Sequence, residues 1–236
     1  MEYLDFIKSR VLNNIPAKKL DGILDCIKEG SDTQEAKNIK TIAINRYAES
    51  NIPIEYWNIN MEKNFVGDPR LKEKYNEYVS DIKESFVTGK SICFAGNHGV
   101  GKSMTASCIL KKCVLKGYSC CYTTLSDVIA ILTQAPNEEK FIVKRELVLT
   151  DFIVIDEIDP RFVATESASD LFARGLEGIL RTRSQNRLPI IMCTNSPNIV
   201  ESFNGQLKAS LNSLFSGYME MFPVFGSDHR KKDGAK

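Results

Sequence analysis

Apolar residues recur along this chain in two rhythms. Some runs are short and nearly unbroken: Ser91–Ala95, Phe152–Ile155 and Pro189–Cys193, with Ser119–Thr123 and Met219–Val224 as weaker examples. Runs of this length read as strands buried on both faces. Between them lie longer segments with helical spacing: Lys102–Lys116, closed by Gly117, then Leu125–Leu132, Glu138–Leu149, Ser167–Asn186 and Phe203–Phe215. Strands alternating with helices predict an α/β fold, a parallel sheet covered on both sides.

Ahead of that alternation the pattern is helical. Residues 2–14 and 17–29 read as two short helices, split at Asn13-Asn14-Ile15-Pro16 and ended by Gly30. Ser31-Asp32-Thr33 offers caps for a third, reaching about Ser50, with Ala36, Ile39, Ala43 and Tyr47 on one face. Pro53 stops it, because the residue before proline avoids the helical region. A polar helix is expected over Arg70–Val87, ended by Gly89. The face of the third helix is of a kind that packs on its own domain more often than on a partner. The chain therefore divides into a helical region, 1–50, an α/β domain, 51–230, and a basic tail, 231–236.

Composition changes this picture little. At 236 residues, with 43% hydrophobic and 26% charged, the chain has the balance of a globular protein. Its net charge of +1 excludes strong overall attraction to nucleic acid, so any such contact needs a local patch. Lys111, Lys112, Lys116 and Lys144 are the candidates for one, and solvated surface is the commoner reading of such lysines. Seven cysteines show no C-x-x-C spacing and read as reduced core thiols. Adjacent Cys120 and Cys121 point to opposite faces of a strand, a poor metal site. The acidic N-terminus and the lack of a ~20-residue apolar run argue against a signal peptide and a membrane span. A cytoplasmic protein is the expectation.

Chemistry concentrates at three strand ends. The first is Gly96-Asn97-His98-Gly99-Val100-Gly101-Lys102-Ser103, which fits G-x-x-x-x-G-K-[ST] between a strand and a helix. Glycines let backbone N–H groups close around a phosphate, and the helix beyond adds its positive end. Lys102 would reach the β- and γ-phosphates and Ser103 would ligate Mg²⁺, with Met104 following in the helix. His98 occupies a free position and reads as loop surface. A chance match in a chain of this length is on the order of one in a hundred.

The second strand end is Asp156-Glu157, after four apolar residues. Ligands bind beyond the carboxyl ends of strands in open α/β sheets. Asp156 would hold Mg²⁺ through water, and Glu157 would orient and deprotonate an attacking water. ATP hydrolysis is the implied reaction. The third is Thr194-Asn195. In a sheet ordered 5-1-4-3-2 it falls between the other two, where Asn195 would hydrogen-bond the γ-phosphate or the water. Arg174, Arg181, Arg183 and Arg187 cluster before it, either as a solvated face or with one serving as a finger to a neighbour's ATP. Arg230 either reaches the nucleotide or belongs to the solvated tail.

With these motifs the chain resembles the helicase-loader branch of AAA+ ATPases, the DnaC-type loaders, and their relatives the IstB-type transposition helpers. The likeness spans about Asn51–Arg230. It rests on Ile-Pro-x-x-Tyr-Trp at Ile52–Trp57, the phosphate loop, Asp156-Glu157, Arg183, Thr194-Asn195 at the sensor-1 position, and Gly-x-Asp-x-Arg ending at Arg230. The chain also stops soon after the last strand, without room for a helical lid. The resemblance implies an AAA+ sheet, ATP-driven assembly of a homo-oligomer on single-stranded DNA, and a replicative helicase bound through the N-terminal region. It also implies that Ile52, Tyr56 and Trp57 lie near the adenine; on their own these residues read equally as an aromatic staple between domains. Two rival roles share these motifs: a transposition helper, and an ATP-gated adaptor whose hydrolysis is incidental. One feature departs from the pattern. Family members carry an arginine in the helix after sensor 1, where Gly205–Leu214 has only Lys208, which lacks a guanidinium fork.

Overall fold

The structure, a computed structural model, describes residues 34–158, 166–196, 199 and 205–229. The helices expected over 2–14 and 17–29, the tail, Arg230 and Cys26 lie outside the described residues.

Five parallel strands form one sheet: β1 (Ser91–Gly96), β2 (Cys120–Thr124), β3 (Phe152–Ile158), β4 (Ile190–Thr194) and β5 (Met219–Val224). Their order is β2-β3-β4-β1-β5, the order expected from the motifs. The central pairings set Ile92 beside Ile191 and Phe94 beside Cys193, and Val154 beside Ile191. Helices follow α1 (Gln34–Glu49), α2 (Pro69–Ser80), α3 (Ile82–Thr88), α4 (Lys102–Leu115), α5 (Leu125–Gln134), α6 (Asn137–Leu149), α7 (Glu166–Gln185) and α8 (Gly205–Tyr218), with a 3-10 turn at Ile54–Tyr56. None of the described helices is long and apolar enough to cross a membrane.

Unbroken apolar strands follow from burial on both sides. On one face Ile92, Phe94, Tyr122, Val154, Ile191 and Cys193 pack with Ala106, Ile109, Leu110 and Cys113 of α4. On the other, Cys93, Ile153, Ile155, Ile190 and Met192 pack with Leu125 and Val128 of α5 and Leu176, Ile179 and Leu180 of α7. The parity of each strand thus splits its residues between two cores. Ala43, Ile44, Tyr47 and Ala48 of α1 join the first core, so this helix packs on the α/β unit.

Six described cysteines are free thiols, and among the described residues no group of three or more His, Cys, Asp or Glu side chains is placed to hold a metal. Cys120 packs into the first core and Cys121 against the second, on opposite faces as expected.

Three expectations need correction. The single polar helix over Arg70–Val87 is two helices, because Asp81 leaves the helical region at φ −137° and its side chain accepts from the Glu84 N–H, capping a new start. Lys111 is not a surface cation. It is buried, and its ammonium donates to the carbonyls of Tyr56, Trp57 and Ile59, fixing the linker before α2. Lys112, Lys116 and Lys144 remain exposed.

Arg183 is likewise neither a solvated residue nor a finger. It is fully buried. One guanidinium nitrogen donates to the carbonyls of Leu147 (2.8 Å), Val148 (3.4 Å) and Thr150 (2.6 Å), where α6 ends. The other donates to those of Asp151 (3.0 Å) and Pro189 (2.8 Å), just before β3 and β4. A planar fork suits such convergence. The arginine therefore ties one helix end and two strand starts together, at the end of the sheet opposite the motifs. Arg181 by contrast is exposed and pairs with Glu177 on its own helix.

Candidate active site

A cavity of about 440 Å³ opens beyond the carboxyl ends of β1, β3 and β4. His98, Gly99, Gly101, Lys102, Ser103, Met104, Asp156, Glu157 and Asn195 all line it, so the three motifs converge. The sheet order explains why. With β4 between β1 and β3, Asn195 stands between the phosphate loop and the acidic pair.

The loop takes its shape from two left-handed glycines, Gly99 at φ 72° and Gly101 at φ 99°. A Cβ on Gly99 would strike the Asp228 carboxylate, and one on Gly101 would crowd the Phe65 ring at 3.1 Å. The loop is therefore pressed from both sides and admits no side chain there. Gly101 ends it as the cap of α4, whose first turn aims its N–H groups at the cavity. Val100 is buried beneath. The Lys102 ammonium donates to the carbonyls of Gly96 (2.9 Å) and Asn97 (2.6 Å) and to Asn195 Oδ1 (2.9 Å). That last bond places the phosphate-loop lysine and the sensor-position asparagine within reach of one phosphate.

The acidic pair sits on a distortion. Between β3 and β4, Ile155 pairs with Met192 but Ile158 with Thr194, so β3 carries one extra residue. Glu157 takes it up at φ 53°, a left-handed conformation that a glutamate rarely adopts. Such a bulge re-aims side chains. Asp156 is buried and Glu157 exposed to the cavity. Asp156 Oδ1 accepts from the Glu157 N–H at 2.7 Å, and Oδ2 accepts from the Tyr122 hydroxyl. Thr194 Oγ1 donates to the Ile158 carbonyl and steadies the far side of the bulge.

Tyr56 lines the cavity, held by the Lys111 clamp on its carbonyl. Trp57 does not, and the expectation that it flanks the adenine is corrected. The linker turns its indole inward, where it is 2% exposed, donates to the Ile52 carbonyl at 2.7 Å and meets Tyr47 edge-on. Ile52 is buried as well. Sequence reasoning missed Glu55, Val66, Tyr122, Cys193 and His229. Cys193 and Tyr122 share the strand parity of Asp156, a signal that was present. His229 belongs to the C-terminal motif, and its N–H bonds the Gly99 carbonyl at 3.2 Å. Burial, then the nearby Asp156 carboxylate, push the Cys193 thiol well above its ordinary value.

A parallel sheet in this order, a phosphate loop, an acidic pair and a polar residue on the strand between define a P-loop nucleotide-binding protein of the AAA+ type. A family model described as "ATPase family associated with various cellular activities (AAA)" matches residues 92–209, half of the chain, and the chain belongs to that family. Among curated proteins, the replicative helicase loader DnaC of Escherichia coli strain K12 and that of Shigella flexneri are each 28% identical over 135 residues. Those residues are 55% of this chain and 51% of the relative, so the chain spans about half the length of the curated relatives it matches. Solved structures with the same fold include the DnaC helicase loader, with a TM-score of 0.57 at 19% identity, covering 72% of this chain and 99% of that one. DnaI gives 0.59 at 15%, covering 75% and 94%. The replication initiator DnaA bound to AMPPCP and single-stranded DNA gives 0.58 at 17%, covering 75% and 51%.

Proposed function

We propose that this protein binds and hydrolyses ATP and works as a DnaC-like replicative helicase loader. The carrying observation is the convergence of Lys102, Asn195, Ser103, Asp156 and Glu157 on one cavity. The likeness to DnaC supports the loader role.

The site suits a nucleoside triphosphate with magnesium. Its two left-handed glycines give the backbone the turn that would point loop N–H groups at phosphate oxygens. Ser103 and Asp156 offer oxygen donors in the same cavity, matching a hard cation that keeps several waters. When bound, magnesium neutralises charge across the β- and γ-phosphates. The loop N–H groups and the first turn of α4 would hold the phosphates. Lys102 would transfer its hydrogen bonds to β- and γ-oxygens, and Asn195 would bind the γ-phosphate or the attacking water. Glu157, exposed at the cavity, would accept a proton as water attacks the γ-phosphorus and the bond to the bridging oxygen breaks, giving ADP and phosphate. Tyr56, which lines the cavity, would pack against the adenine, and Arg230 would either reach the nucleotide or belong to the solvated tail.

On this reading ATP drives assembly of several copies on single-stranded DNA, and the N-terminal region engages the helicase. Hydrolysis is slow and rises with DNA. A missing arginine after sensor 1 fits the low rate, because a finger is worth roughly 10³–10⁵ in turnover. Lys102→Ala and Glu157→Gln separate the steps. Lys102→Ala should abolish ATP binding. Glu157→Gln should keep binding and lose turnover by about 100-fold or more. If neither changes turnover, the enzyme reading is wrong. Sizing the full chain with ATP, with and without single-stranded DNA and with a replicative helicase, tests the loader role; no assembly in any mixture would remove it.

A further inference from the structure

We propose that Tyr122 is a positioning residue for the magnesium site: its hydroxyl locks the Asp156 carboxylate in the orientation that receives the ion. This rests on the ATPase reading above.

The geometry begins with strand register. β2 and β3 run parallel with Tyr122 beside Val154 and Thr124 beside Asp156. Tyr122 and Asp156 therefore share a sheet face, offset by one diagonal. Only a long side chain with a polar tip spans that offset. Tyr122 is 5% exposed, packed in the first core. A buried phenol needs a hydrogen-bond partner, and Asp156 Oδ2 is the one it has.

A carboxylate anchored through one oxygen still turns about its Cβ–Cγ bond. Asp156 is anchored through both, by the Glu157 N–H and by Tyr122. Each oxygen retains a further lone pair for the ion or its waters. Hydrogen-bonding partners behind a metal ligand commonly govern metal affinity by 10–100-fold.

The test is equilibrium binding of ATP by the full chain, titrated with magnesium, for wild type, Tyr122→Phe, Asp156→Asn and the double variant. Tyr122→Phe should raise half-saturating magnesium by about 10–100-fold. Binding of ATP in chelator should not change, because the phosphate loop is untouched. In the Asp156→Asn background the second substitution should add less than about twofold, since a residue acting through Asp156 has nothing left to act on. A Tyr122→Phe titration superimposable on wild type overturns the proposal. So does an effect that persists at full size without the carboxylate, or a loss of magnesium-free binding, which marks a purely structural role. A wild-type protein that binds no ATP under any condition removes the ATPase reading itself, a separate and recognisable result.

Discussion

Glu157 stands at φ 53°, and replacing it with glycine and with alanine exposes the backbone strain that holds it. Both variants lose the carboxylate, so charge and catalysis drop out of the comparison. In an ordinary strand interior, glycine is the worse residue by about 0.5–1 kcal/mol relative to alanine. In the left-handed region the order should reverse. A Cβ there costs about 1–2 kcal/mol, while the extra freedom of glycine in the unfolded chain returns about 0.4–1 kcal/mol. The net expectation is Glu157→Gly more stable than Glu157→Ala by about 1 kcal/mol, or about 2–4 °C in Tm for a domain of this size. Denaturant unfolding followed by circular dichroism reads the difference as a shift in midpoint at constant slope. An alanine variant as stable as the glycine variant would show that the bulge relaxes, and that Glu157 is not held in place by strain. Because the strain sits on the residue proposed to activate water, the glycine variant should be inactive as well as the more stable of the two.

Three further outcomes follow from the same structure. Arg183→Met should lose about 3–5 kcal/mol of stability, because five carbonyls lose a buried charged partner, and Arg183→Lys should recover less than half; a loss under 1 kcal/mol in denaturant titration would refute the buried tie. Lys111→Met should speed proteolytic cutting within residues 54–64 while α4 stays protected, and an unchanged digestion pattern would mean that the linker is held by other contacts. The Arg70 guanidinium, then the Phe225 N–H, hold the Asp68 carboxyl below its ordinary value of 3.8 against the opposing effect of burial. Its stabilisation is thus complete above about pH 3.8 and disappears as pH falls through the lower folded value, so the advantage of wild type over Asp68→Asn should shrink in acid; a gap constant from neutral pH to pH 2 would refute the assignment.

The strands were legible because parallel sheets need continuous apolar runs, and those of β3 and β4 end in the polar pairs Asp156-Glu157 and Thr194-Asn195. The phosphate loop was legible because few backbones other than this one need glycines and lysine at that spacing. Side-chain direction in the linker was not. Trp57 and Tyr56 are adjacent aromatics, and nothing in their identity says which one the turn at Ile54–Tyr56 sends inward. The role of Arg183 was hidden for another reason. Its five partners are main-chain carbonyls, which every residue supplies, so only the meeting of α6, β3 and β4 reveals them. The break at Asp81 was readable in hindsight, since Asp81-Ile82-Lys83-Glu84 has the spacing of a capping box. Glu157 was assigned from its chemistry, but the extra residue in β3 that aims it leaves no mark in the pattern.

The free cysteines make the molecule its own reporter. Cys93 lies on β1, Cys108 and Cys113 on α4, Cys120 on β2 and Cys193 on β4, and all five are buried. Burial pushes the Cys93 thiol up to about 12. Thiols covered by the core do not react with alkylating reagents until their segment opens. Labelling of each one under native conditions therefore times the opening of one identified strand or helix, without any engineered probe. Mass spectrometry of the labelled peptides would map, segment by segment, which part of the sheet yields first and which part nucleotide makes more reluctant to open.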